Sequence, residues 1–269
     1  MYFFKKCIIH TSYVLKYFKY LLTARWNGHG IHSPFIFSFY RSVLKPPINE
    51  PDKVRLKNVI SGYKKDESLI HCPLFGAGSV YKASNEVKVK NFIKHSSVNA
   101  WTGKVLYNIA GYFKQGNILE LGTGLGLSTI YMAMGNPGCI IKTVEGCQEK
   151  LEYAKKKFKE EGFKNIQARN GEFGEELPKI LDEIQHLDLV FIDGNHNYSS
   201  TLNYFNMITL NCHNDSIVIL DDIHWSPGME SAWEQIKQHS EVRVTIDLFR
   251  LGIVFFKKEL SKENFVIKF

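Results

Sequence analysis

Cysteine is scarce in this sequence: there are five in 269 residues, scattered and without a Cys-x-x-Cys pair. An odd number without paired spacing argues against a disulfide framework and against a zinc site. Such a chain suits a reducing compartment, where thiols stay unpaired. We therefore predict a cytoplasmic protein.

The sequence also lacks a long apolar run. Residues 3–22 are apolar and aromatic, but lysines interrupt them at positions 5, 6, 16 and 19. Spanning a bilayer takes about 20 consecutive apolar residues, which this stretch does not supply. His10, Thr11 and Ser12 also break up what would be the apolar centre of a secretory signal. Neither a membrane span nor a signal peptide is predicted.

Net positive charge is missing from most of the chain. Residues 1–60 hold ten lysines and arginines against Glu50 and Asp52, a balance of +8, so the rest of the chain sums to −1. A protein that binds nucleic acid usually carries a basic patch or stripe on its body. The sequence therefore does not predict a nucleic-acid partner, and the basic excess belongs to the N-terminal segment alone.

The N-terminal segment has the spacing of an amphipathic helix. Its large apolar residues near one face are Phe4, Ile8, Leu15, Phe18 and Leu22. This face would pack on the main domain or on a second subunit, giving a homodimer, or it would lie on a membrane surface. Gly28 and Gly30 would end the helix. We treat residues 1–60 as a basic, aromatic-rich helical extension and residues 61–269 as the main domain.

From residue 117 onward, short apolar runs alternate with helical stretches. The predicted strands are 117–121, 139–145, 165–169, 187–193, 216–221, 242–247 and 251–256. Helices between strands are what parallel crossovers require. Only residues 248–250 separate the last two strands, so that pair must be antiparallel. Residues 52–112 are predicted to be mainly helical, with a glycine-containing loop at 75–79.

A glycine-rich turn joins the first of these strands to a helix, and it reads ELGTGLGLST over residues 120–129. Glycines at such a turn let a ligand approach the backbone, and the helix N-terminus offers free N–H groups. The spacing is Gly-x-Gly-x-Gly, whereas a dinucleotide fingerprint would be Gly-x-Gly-x-x-Gly. Glu120, ahead of the first glycine, is a second departure. By itself the turn also fits an ordinary tight connection.

Two further candidate sites follow the next strands. Glu145 ends the second strand, where a carboxylate accepts ribose hydroxyls in nucleotide-binding Rossmann domains. An exposed carboxylate at a strand end is the plainer alternative. After the third strand come residues 170–173, NGEF, in which a polar side chain beside an aromatic ring would hold an adenine.

These motifs, in this order, resemble those of class I S-adenosylmethionine-dependent methyltransferases. The matching segments are ILELGTGLGLST, TVEG, NGEF and LDLVFIDGNH, within about residues 90–258. The resemblance implies a Rossmann-like α/β fold whose seven-stranded, mostly parallel sheet has the order 3-2-1-4-5-7-6, with the last strand antiparallel.

The same resemblance implies S-adenosylmethionine as the cofactor. The glycines of the turn would surround its methionine part, Glu145 would bind the ribose, and Glu172 with Phe173 would lie near the adenine. The residues expected at the cofactor are Glu120, Gly122, Thr123, Gly124, Gly126, Ser128, Glu145, Gly146, Gly171, Glu172, Phe173 and Asp193.

Carboxylates end the fourth and fifth predicted strands: Asp193 ends the fourth, and Asp221 and Asp222 end the fifth. Both ends face the ligand crevice of an open α/β sheet, so these carboxylates would repel one another unless a cation lies between them. Mg²⁺ prefers such oxygen ligands. The layout resembles the metal-dependent O-methyltransferases of catechol and macrolide-sugar type, which implies a magnesium site at these three residues. The alternative is that Asp193 only orients the substrate or cofactor and no metal binds.

A histidine follows the fourth strand at an offset that suits acid–base chemistry. In the catechol enzymes a basic residue three positions after the acidic strand end takes the hydroxyl proton. His196 is therefore the predicted general base, and Asp193 is the other predicted catalytic residue. A neutral imidazole with a pKa near ~6.5 suits that task. The alternative is a surface histidine that caps the next helix.

Other polar residues have less defined roles. His224 and Trp225, directly after Asp222, would line the acceptor pocket. His29, His32 and Pro34 form a polar cluster that suggests a lid or a structural turn. These assignments rest on position alone.

The predicted activity is methyl transfer to a hydroxyl of a small molecule, with a divalent metal. The Asn/Asp-Pro-Pro-Tyr/Phe signature of the amino-methyltransferases is missing, since residues 194–196 read GNH, which disfavours methylation of DNA bases or glutamine. One alternative is a metal-independent methyltransferase that acts on RNA or another acceptor. The other is a non-catalytic module that docks to a membrane or a partner.

Overall fold

A computed structural model describes residues 2–26, 28–71, 86–96 and 98–269, with the side chains of the first helix from Tyr13 onward. The strands are β1 (Arg25–Trp26), β2 (Leu69–His71), β3 (Glu86–Lys88), β4 (Gly116–Leu121), β5 (Cys139–Glu145), β6 (Ile166–Asn170), β7 (Leu187–Ile192), β8 (Cys212–Leu220), β9 (Val244–Asp247), β10 (Gly252–Phe255) and β11 (Glu263–Lys268). The helices are α1 (Tyr2–Thr23), α2 (Pro34–Phe39), α3 (Glu50–Lys65), α4 (Val89–Ser96), α5 (Ala100–Ala110), α6 (Leu127–Gly135), α7 (Gln148–Glu160), α8 (Phe173–Glu183), α9 (Tyr198–Thr209) and α10 (Pro227–Gln238). A π-helical turn, Tyr40–Leu44, continues α2.

The central sheet confirms the Rossmann-like α/β class. All seven strands predicted from residue 117 onward are present, in the order β6-β5-β4-β7-β8-β10-β9, which is the predicted 3-2-1-4-5-7-6. β10 runs antiparallel to both β8 and β9. This arrangement places the ends of β4, β5, β7 and β8 and the β9–β10 turn at the same edge of the sheet.

The predicted strand count is wrong, because two strands extend the sheet beyond β9 and make it nine-stranded in the described part of the chain. β11 pairs parallel with β9, and β1 pairs parallel with β11. The two residues of β1 are too few to show any periodicity. β11 does alternate, since Phe265 and Ile267 are buried between more exposed neighbours.

Helices cover both faces of the sheet. One face packs against α2, α3, α5, α6 and α7, with buried side chains such as Ile36, Val105 and Ile130 in one cluster with Phe191 of β7. The other face packs against α8, α9 and α10 through a second cluster that includes Phe205 and Trp233. In α7 the predicted stripe of Leu151, Ala154 and Phe158 is buried, as its spacing of three and four residues requires.

The N-terminal region is built into this core from β1 onward. Residues 34–63 supply buried side chains to the first cluster, among them Phe39 and Tyr63. The predicted polar turn at residues 28–34 leads into α2, where Ser33 accepts a hydrogen bond from the Ile36 N–H and Pro34 occupies the first turn. His29 and His32 are exposed on this turn.

The N-terminal helix packs on the body through its tyrosines. The outward side holds Leu15, Phe18 and Leu22, and all three side chains are exposed. The side chains of Phe4 and Ile8, and the loop at 75–79, lie outside the described residues. Among the residues that the structure describes, no helix has the length and apolar character needed to cross a membrane.

Candidate active site

The glycine-rich turn lies where β4 ends, between β5 and β7. The Gly122 and Thr123 N–H groups donate to the Val144 carbonyl at 2.9 and 3.2 Å, which ties the turn to β5. A Cβ at position 122 would stand 2.0 Å from the Asp193 carbonyl oxygen, so only glycine lets the two strand ends approach this closely. Gly126, with φ +88°, begins α6. The turn therefore presents bare backbone beside the end of β7.

Glu120 is a fully buried carboxyl at the centre of this turn. Its Oε2 accepts hydrogen bonds from the hydroxyls of Thr129 at 2.5 Å and Thr143 at 2.6 Å. Its Oε1 is buried without a hydrogen-bond partner among the described residues. Burial raises the pKa of Glu120 to about 7, against the neighbouring hydroxyls that favour the charged form. A buried acceptor without a partner costs about 1–3 kcal/mol, so this oxygen suits a ligand that brings a donor.

Glu145 lies at the end of β5 and closes the other side of the turn. The Gly124 N–H donates to its Oε2 at 2.8 Å, and the Cys147 N–H donates to its Oε1 at 3.0 Å. These two bonds hold the carboxylate against the turn. Each oxygen keeps a further lone pair for hydroxyl donors.

The segment at residues 170–173 borders this carboxylate. The Gly171 N–H donates to the Glu145 carbonyl at 3.2 Å, and the Asn170 side chain donates to the same carbonyl at 2.8 Å. Phe173 lies against Gly194, because a Cβ on that glycine would stand 2.5 Å from the phenylalanine ring. Glu172 is exposed at the start of α8. The structure thus brings the predicted adenine residues next to the end of β7.

Asp193 and His196 form a pair at the end of β7. The Asp193 N–H donates to the Leu121 carbonyl at 2.8 Å, and His196 Nε2 lies 3.5 Å from Asp193 Oδ1. Burial lowers the pKa of His196, but Asp193, Asp222 and Asp221 outweigh it and raise the pKa to about 9. The pKa of His196 therefore lies above the value of free imidazole that is expected from the sequence. His196 does not cap α9, since Asn197 is the residue whose side chain accepts the Ser200 N–H.

Asp221 and Asp222 lie at the end of β8, but their nearest cation is an arginine. Arg250 Nε donates to Asp221 Oδ1 at 2.9 Å, and Arg250 Nη2 donates to Asp221 Oδ2 at 2.8 Å. Arg250 Nε also lies 3.5 Å from Asp222 Oδ1. Asp221 is 1% exposed, so the guanidinium compensates a buried charge.

This arginine means that Asp193, Asp221 and Asp222 do not form the predicted metal-binding group. Within the described ranges, no three or more His, Cys, Asp or Glu side chains are grouped so as to hold a metal ion. Both oxygens of Asp221 already accept hydrogen bonds from the Arg250 guanidinium, so a metal cation at this carboxylate would meet a fixed positive charge. The donor set that the structure presents therefore does not fit Mg²⁺.

Aromatic residues from distant parts of the chain surround the same cluster. The Tyr13 ring of α1 lies edge-on to Phe249 at 5.0 Å and to Trp225 at 6.0 Å. Burial and the charge of Asp222 raise the pKa of the Tyr13 phenol, while Arg250 lowers it. His224 stacks on Phe249 at 5.3 Å. These rings form a wall beside Asp222 and Arg250, which we call the aromatic wall.

His224 is held in place within that wall by two carboxylates. Its Nδ1 lies 3.1 Å from Glu230 Oε1, and its Nε2 lies 2.8 Å from Asp247 Oδ2. These partners raise the pKa of His224, although burial alone would lower it. With both nitrogens engaged, His224 orients the wall and has no nitrogen left for proton transfer.

Backbone strain is concentrated at this edge of the sheet. Among the described residues, the non-glycine residues with positive φ are Asn195 at +53°, Asp222 at +54° and Phe249 at +69°. Each such conformation is sparsely populated and costs about 1–3 kcal/mol, so the surrounding structure must impose it. Asn195 precedes His196 and Phe249 precedes Arg250. The strained positions are therefore Asp222 itself and the residues just before His196 and Arg250.

Sequence reasoning missed Arg250, Tyr13 and Phe249. A signal for Arg250 exists in the predicted hairpin: since β10 runs antiparallel to β8, the β9–β10 turn must lie at the edge where β8 ends. A charged residue in that turn therefore faces the strand-end carboxylates. No comparable signal exists for Tyr13, because its place depends on how α1 packs.

Comparison with known proteins agrees with this geometry. Residues 119–223 match the methyltransferase domain family. The chain is 27% identical over 147 residues to the protein R132 of Acanthamoeba polyphaga mimivirus. The aligned region covers 49% of this chain and 65% of the length of R132.

Two solved structures share the fold. The O-methyltransferase of Bacillus cereus in complex with SAH has a TM-score of 0.56 at 18% identity, covering 81% of this chain and 96% of that chain. The Streptomyces achromogenes O-methyltransferase involved in tomaymycin synthesis, in complex with SAM, has a TM-score of 0.51 at 22% identity, covering 60% and 81%. Residues 119–223 therefore match a methyltransferase domain, and the chain shares the fold of these two solved structures.

Proposed function

We propose that the chain transfers a methyl group from S-adenosylmethionine to a hydroxyl oxygen of a small-molecule acceptor. The observation that carries the proposal is the meeting of the glycine-rich turn and the Asp193–His196 pair, where Gly122 lies directly against the Asp193 carbonyl. A cofactor on that turn would lie beside an acid–base pair. The two solved O-methyltransferases, one with SAH and one with SAM, support the choice of cofactor and of reaction.

The cofactor's methionine part would lie on the turn formed by Gly122, Thr123, Gly124, Gly126 and Ser128. The unpartnered Oε1 of Glu120 fits an ammonium donor, since a buried acceptor without a partner gains a charged hydrogen bond. When bound, the cofactor supplies an electrophilic methyl group on a sulfonium. The chain's own task is then to orient the acceptor and remove its proton.

The nucleoside part would lie between β5 and β6. Glu145 would accept the ribose hydroxyls, because its carboxylate is already fixed by the Gly124 and Cys147 N–H groups. Gly146 and Gly171 leave room beside it, and Glu172 with Phe173 would border the adenine. The whole site would then run along the ends of β4, β5 and β6.

His196 would act as the general base for the acceptor hydroxyl. Its Nε2 faces Asp193, so the imidazolium that forms on proton transfer would be stabilised by that carboxylate at 3.5 Å. The other ring nitrogen, Nδ1, would take the proton. Asp193 thus has two roles in this proposal, orienting His196 and bordering the cofactor.

The acceptor would lie against the aromatic wall, on the side that residues 1–60 help to close. Tyr13 contributes to that wall from α1, so the N-terminal extension would shape acceptor selection. No step of the proposal uses a metal, because Arg250 occupies the oxygens of Asp221. Alternatives with RNA as the acceptor lack a specific contact in their favour.

Transfer of labelled methyl groups from S-adenosylmethionine to a panel of hydroxyl compounds tests the proposal. Each acceptor is assayed in excess chelator and, in parallel, with Mg²⁺. We expect a phenolic or other hydroxyl acceptor to be methylated equally in both. Methylation of amines alone would contradict oxygen transfer, and dependence on Mg²⁺ would contradict the metal-free chemistry.

A further inference from the structure

Arg250 lies where the sequence predicts a metal. It comes from the β9–β10 turn and bonds both oxygens of Asp221, at 2.9 and 2.8 Å. The same guanidinium approaches Asp222, while Asp193 is engaged with His196 at 3.5 Å. One guanidinium and one imidazole therefore face three carboxylates.

The backbone around Arg250 is firmly placed. The Ile223 N–H, two residues after Asp221, donates to the Arg250 carbonyl at 3.2 Å. The Phe249 N–H donates to Asp247 Oδ1 at 2.7 Å and holds the strained turn. A guanidinium that is anchored in this way is a fixed charge, unlike a flexible surface arginine.

The guanidinium still has donors to offer. Arginine carries five N–H groups, and the two bonds to Asp221 use two of them. The side chain is 30% exposed and lies beside the aromatic wall, against which the acceptor is proposed to lie. Its free N–H groups would bind an oxygen with a partial or full negative charge, which is what an acceptor hydroxyl becomes as it loses its proton.

We propose that Arg250 replaces a divalent metal in this protein: it neutralises Asp221 and binds the acceptor oxygen through its free N–H groups. The role at the acceptor rests on the proposed methyl transfer, whereas the replacement of the metal does not. A divalent ion at Asp221 would have to displace the bidentate guanidinium or lie against its positive charge.

Calorimetric titration of the metal alone tests the replacement without any activity. Mg²⁺ and Mn²⁺ are titrated into the wild-type protein and into Asp221→Asn. We expect no saturable binding to the wild type at millimolar metal, or binding that Asp221→Asn leaves unchanged because it lies elsewhere. Saturable binding to the wild type that Asp221→Asn abolishes would overturn the replacement.

The acceptor role is tested with Arg250→Lys, which keeps the charge but loses the planar donor set. We expect at least a tenfold loss in kcat/KM for the acceptor, with the dissociation constant of S-adenosylmethionine changed less than twofold. Arg169→Lys is the matched control, because Arg169 lies on β6 and pairs with Glu183 of α8, away from the cluster. An unchanged kcat/KM in Arg250→Lys would remove the acceptor role. If the wild type methylates no compound, the proposed function fails, but the metal titration still tests whether Arg250 replaces a metal.

A separate observation concerns the outward side of α1. The helix already packs on the body through Tyr13 and Tyr17, whose rings lie 5.0 and 4.9 Å from Phe249. Lys16 adds an ion pair with Glu230 at 2.8 Å. The remaining side of the helix therefore has no role in holding it to the domain.

That side is apolar and uncovered. Leu15, Phe18 and Leu22 lie at positions i, i+3 and i+7, and they are 65%, 58% and 87% exposed. We call these three residues the outer stripe. Trp26, just after the helix, is also exposed. Contiguous exposed apolar side chains of this size mark an interaction surface.

Charge distinguishes between the surfaces that could cover the outer stripe. Residues 1–49 contain seven lysines and arginines and no aspartate or glutamate, and Lys19 is exposed beside Phe18. A second copy would bring the same positive charge to the interface, and the two would repel. Anionic lipid head groups attract such a basic segment electrostatically.

We propose that the outer stripe of α1 binds the surface of an anionic membrane. Lys19, exposed beside Phe18, would contact head groups while Leu15, Phe18 and Leu22 enter the interface. Binding would bring the aromatic wall, which α1 also supports, close to the lipid surface. This inference depends on α1 alone and stands apart from the proposed chemistry.

Co-sedimentation with vesicles tests the membrane proposal. The probes are phosphatidylcholine vesicles, either pure or with about one third phosphatidylglycerol. We expect the wild type to bind the anionic vesicles and to be released by salt. The triple variant Leu15→Ser, Phe18→Ser, Leu22→Ser should bind at least tenfold more weakly.

A matched control removes equally exposed apolar side chains elsewhere: Val54→Ser, Leu69→Ser, Leu210→Ser. This control should bind vesicles like the wild type. Light scattering after size exclusion is measured on all three proteins. If the wild type and the control are dimers and only the outer-stripe variant is a monomer, a second copy covers the stripe and the proposal is overturned. A monomeric wild type that does not bind anionic vesicles would overturn it as well.

Discussion

The two halves of the candidate site are built in different ways. The cofactor half comes from neighbouring strand ends and the turn after β4, with Glu120, Thr143 and Glu145 linked by short hydrogen bonds through the turn. The acceptor half gathers Tyr13, His196, Asp222 and Arg250 from segments far apart in sequence. A local motif positions its own residues, whereas an assembled cluster depends on every element that contributes to it. Substitutions should therefore separate the two halves.

The largest separation is expected at His196. His196→Ala should lower kcat by about 10²–10⁴-fold, the range for loss of a general base, and leave the dissociation constant of S-adenosylmethionine nearly unchanged. Single-turnover kinetics and calorimetry measure the two quantities. His186→Ala is the control, since that histidine is exposed and remote from the cluster. Equal losses in binding and turnover would mean that the halves are not separable.

The pH dependence of kcat/KM for the acceptor should report the titration of His196 in the acceptor half. The pKa of His196 is raised to about 9 by Asp193, Asp222 and Asp221, so the imidazole is protonated at neutral pH. Only the neutral form accepts a proton, so activity should rise about tenfold for each pH unit from 7 and level off near 9. Asp193→Asn removes the main partner and should move the rise to lower pH. A rise that does not move in this variant would assign it to another group.

In the cofactor half, Glu145→Ala should weaken binding without slowing the chemistry. Loss of a charged hydrogen-bond partner costs about 1.5–3 kcal/mol, or about 10- to 150-fold in the dissociation constant of S-adenosylmethionine. At saturating cofactor, kcat should stay within about twofold of the wild type. Glu152→Ala, an exposed glutamate of the following helix, serves as the control. A loss confined to kcat would contradict the assignment of Glu145 to the cofactor half.

The smallest effect is expected at Tyr13, at the outer limit of the acceptor half. Tyr13→Ala removes edge contacts to Phe249 and Trp225, each worth about 0.5–1.5 kcal/mol, and should raise the acceptor KM about 2- to 10-fold. Tyr112→Ala removes a comparable ring from another part of the surface and should leave KM unchanged. If cofactor affinity changed instead, α1 would contribute to the cofactor half.

The same division explains what the sequence predicts. The order of seven strands and the places of Glu120, Glu145, Asp193 and His196 follow from a periodic chain and from turns that are local in sequence. Arg250 follows only once the hairpin is placed against β8. The exposure of Leu15, Phe18 and Leu22 has no local signal at all, because amphipathic spacing does not tell which of two apolar faces meets the body.

The boundary of the N-terminal extension illustrates the same limit. Residues 34–60 are largely helical and partly basic, as expected of the extension, yet Ile36, Phe39 and Leu56 pack into the sheet core, and α3 runs across the predicted boundary. The Tyr63 hydroxyl even donates to the Leu125 carbonyl of the glycine-rich turn, at 2.8 Å. Composition indicates the helices but does not reveal which core they enter.

Calorimetric binding of S-adenosylmethionine and its demethylated product to the wild-type chain is the most direct test of the central claim. We expect saturable binding of both ligands, weakened about 10-fold or more by Glu145→Ala, and no comparable binding of NAD. Failure of both ligands to bind, together with tight binding of NAD, would contradict it.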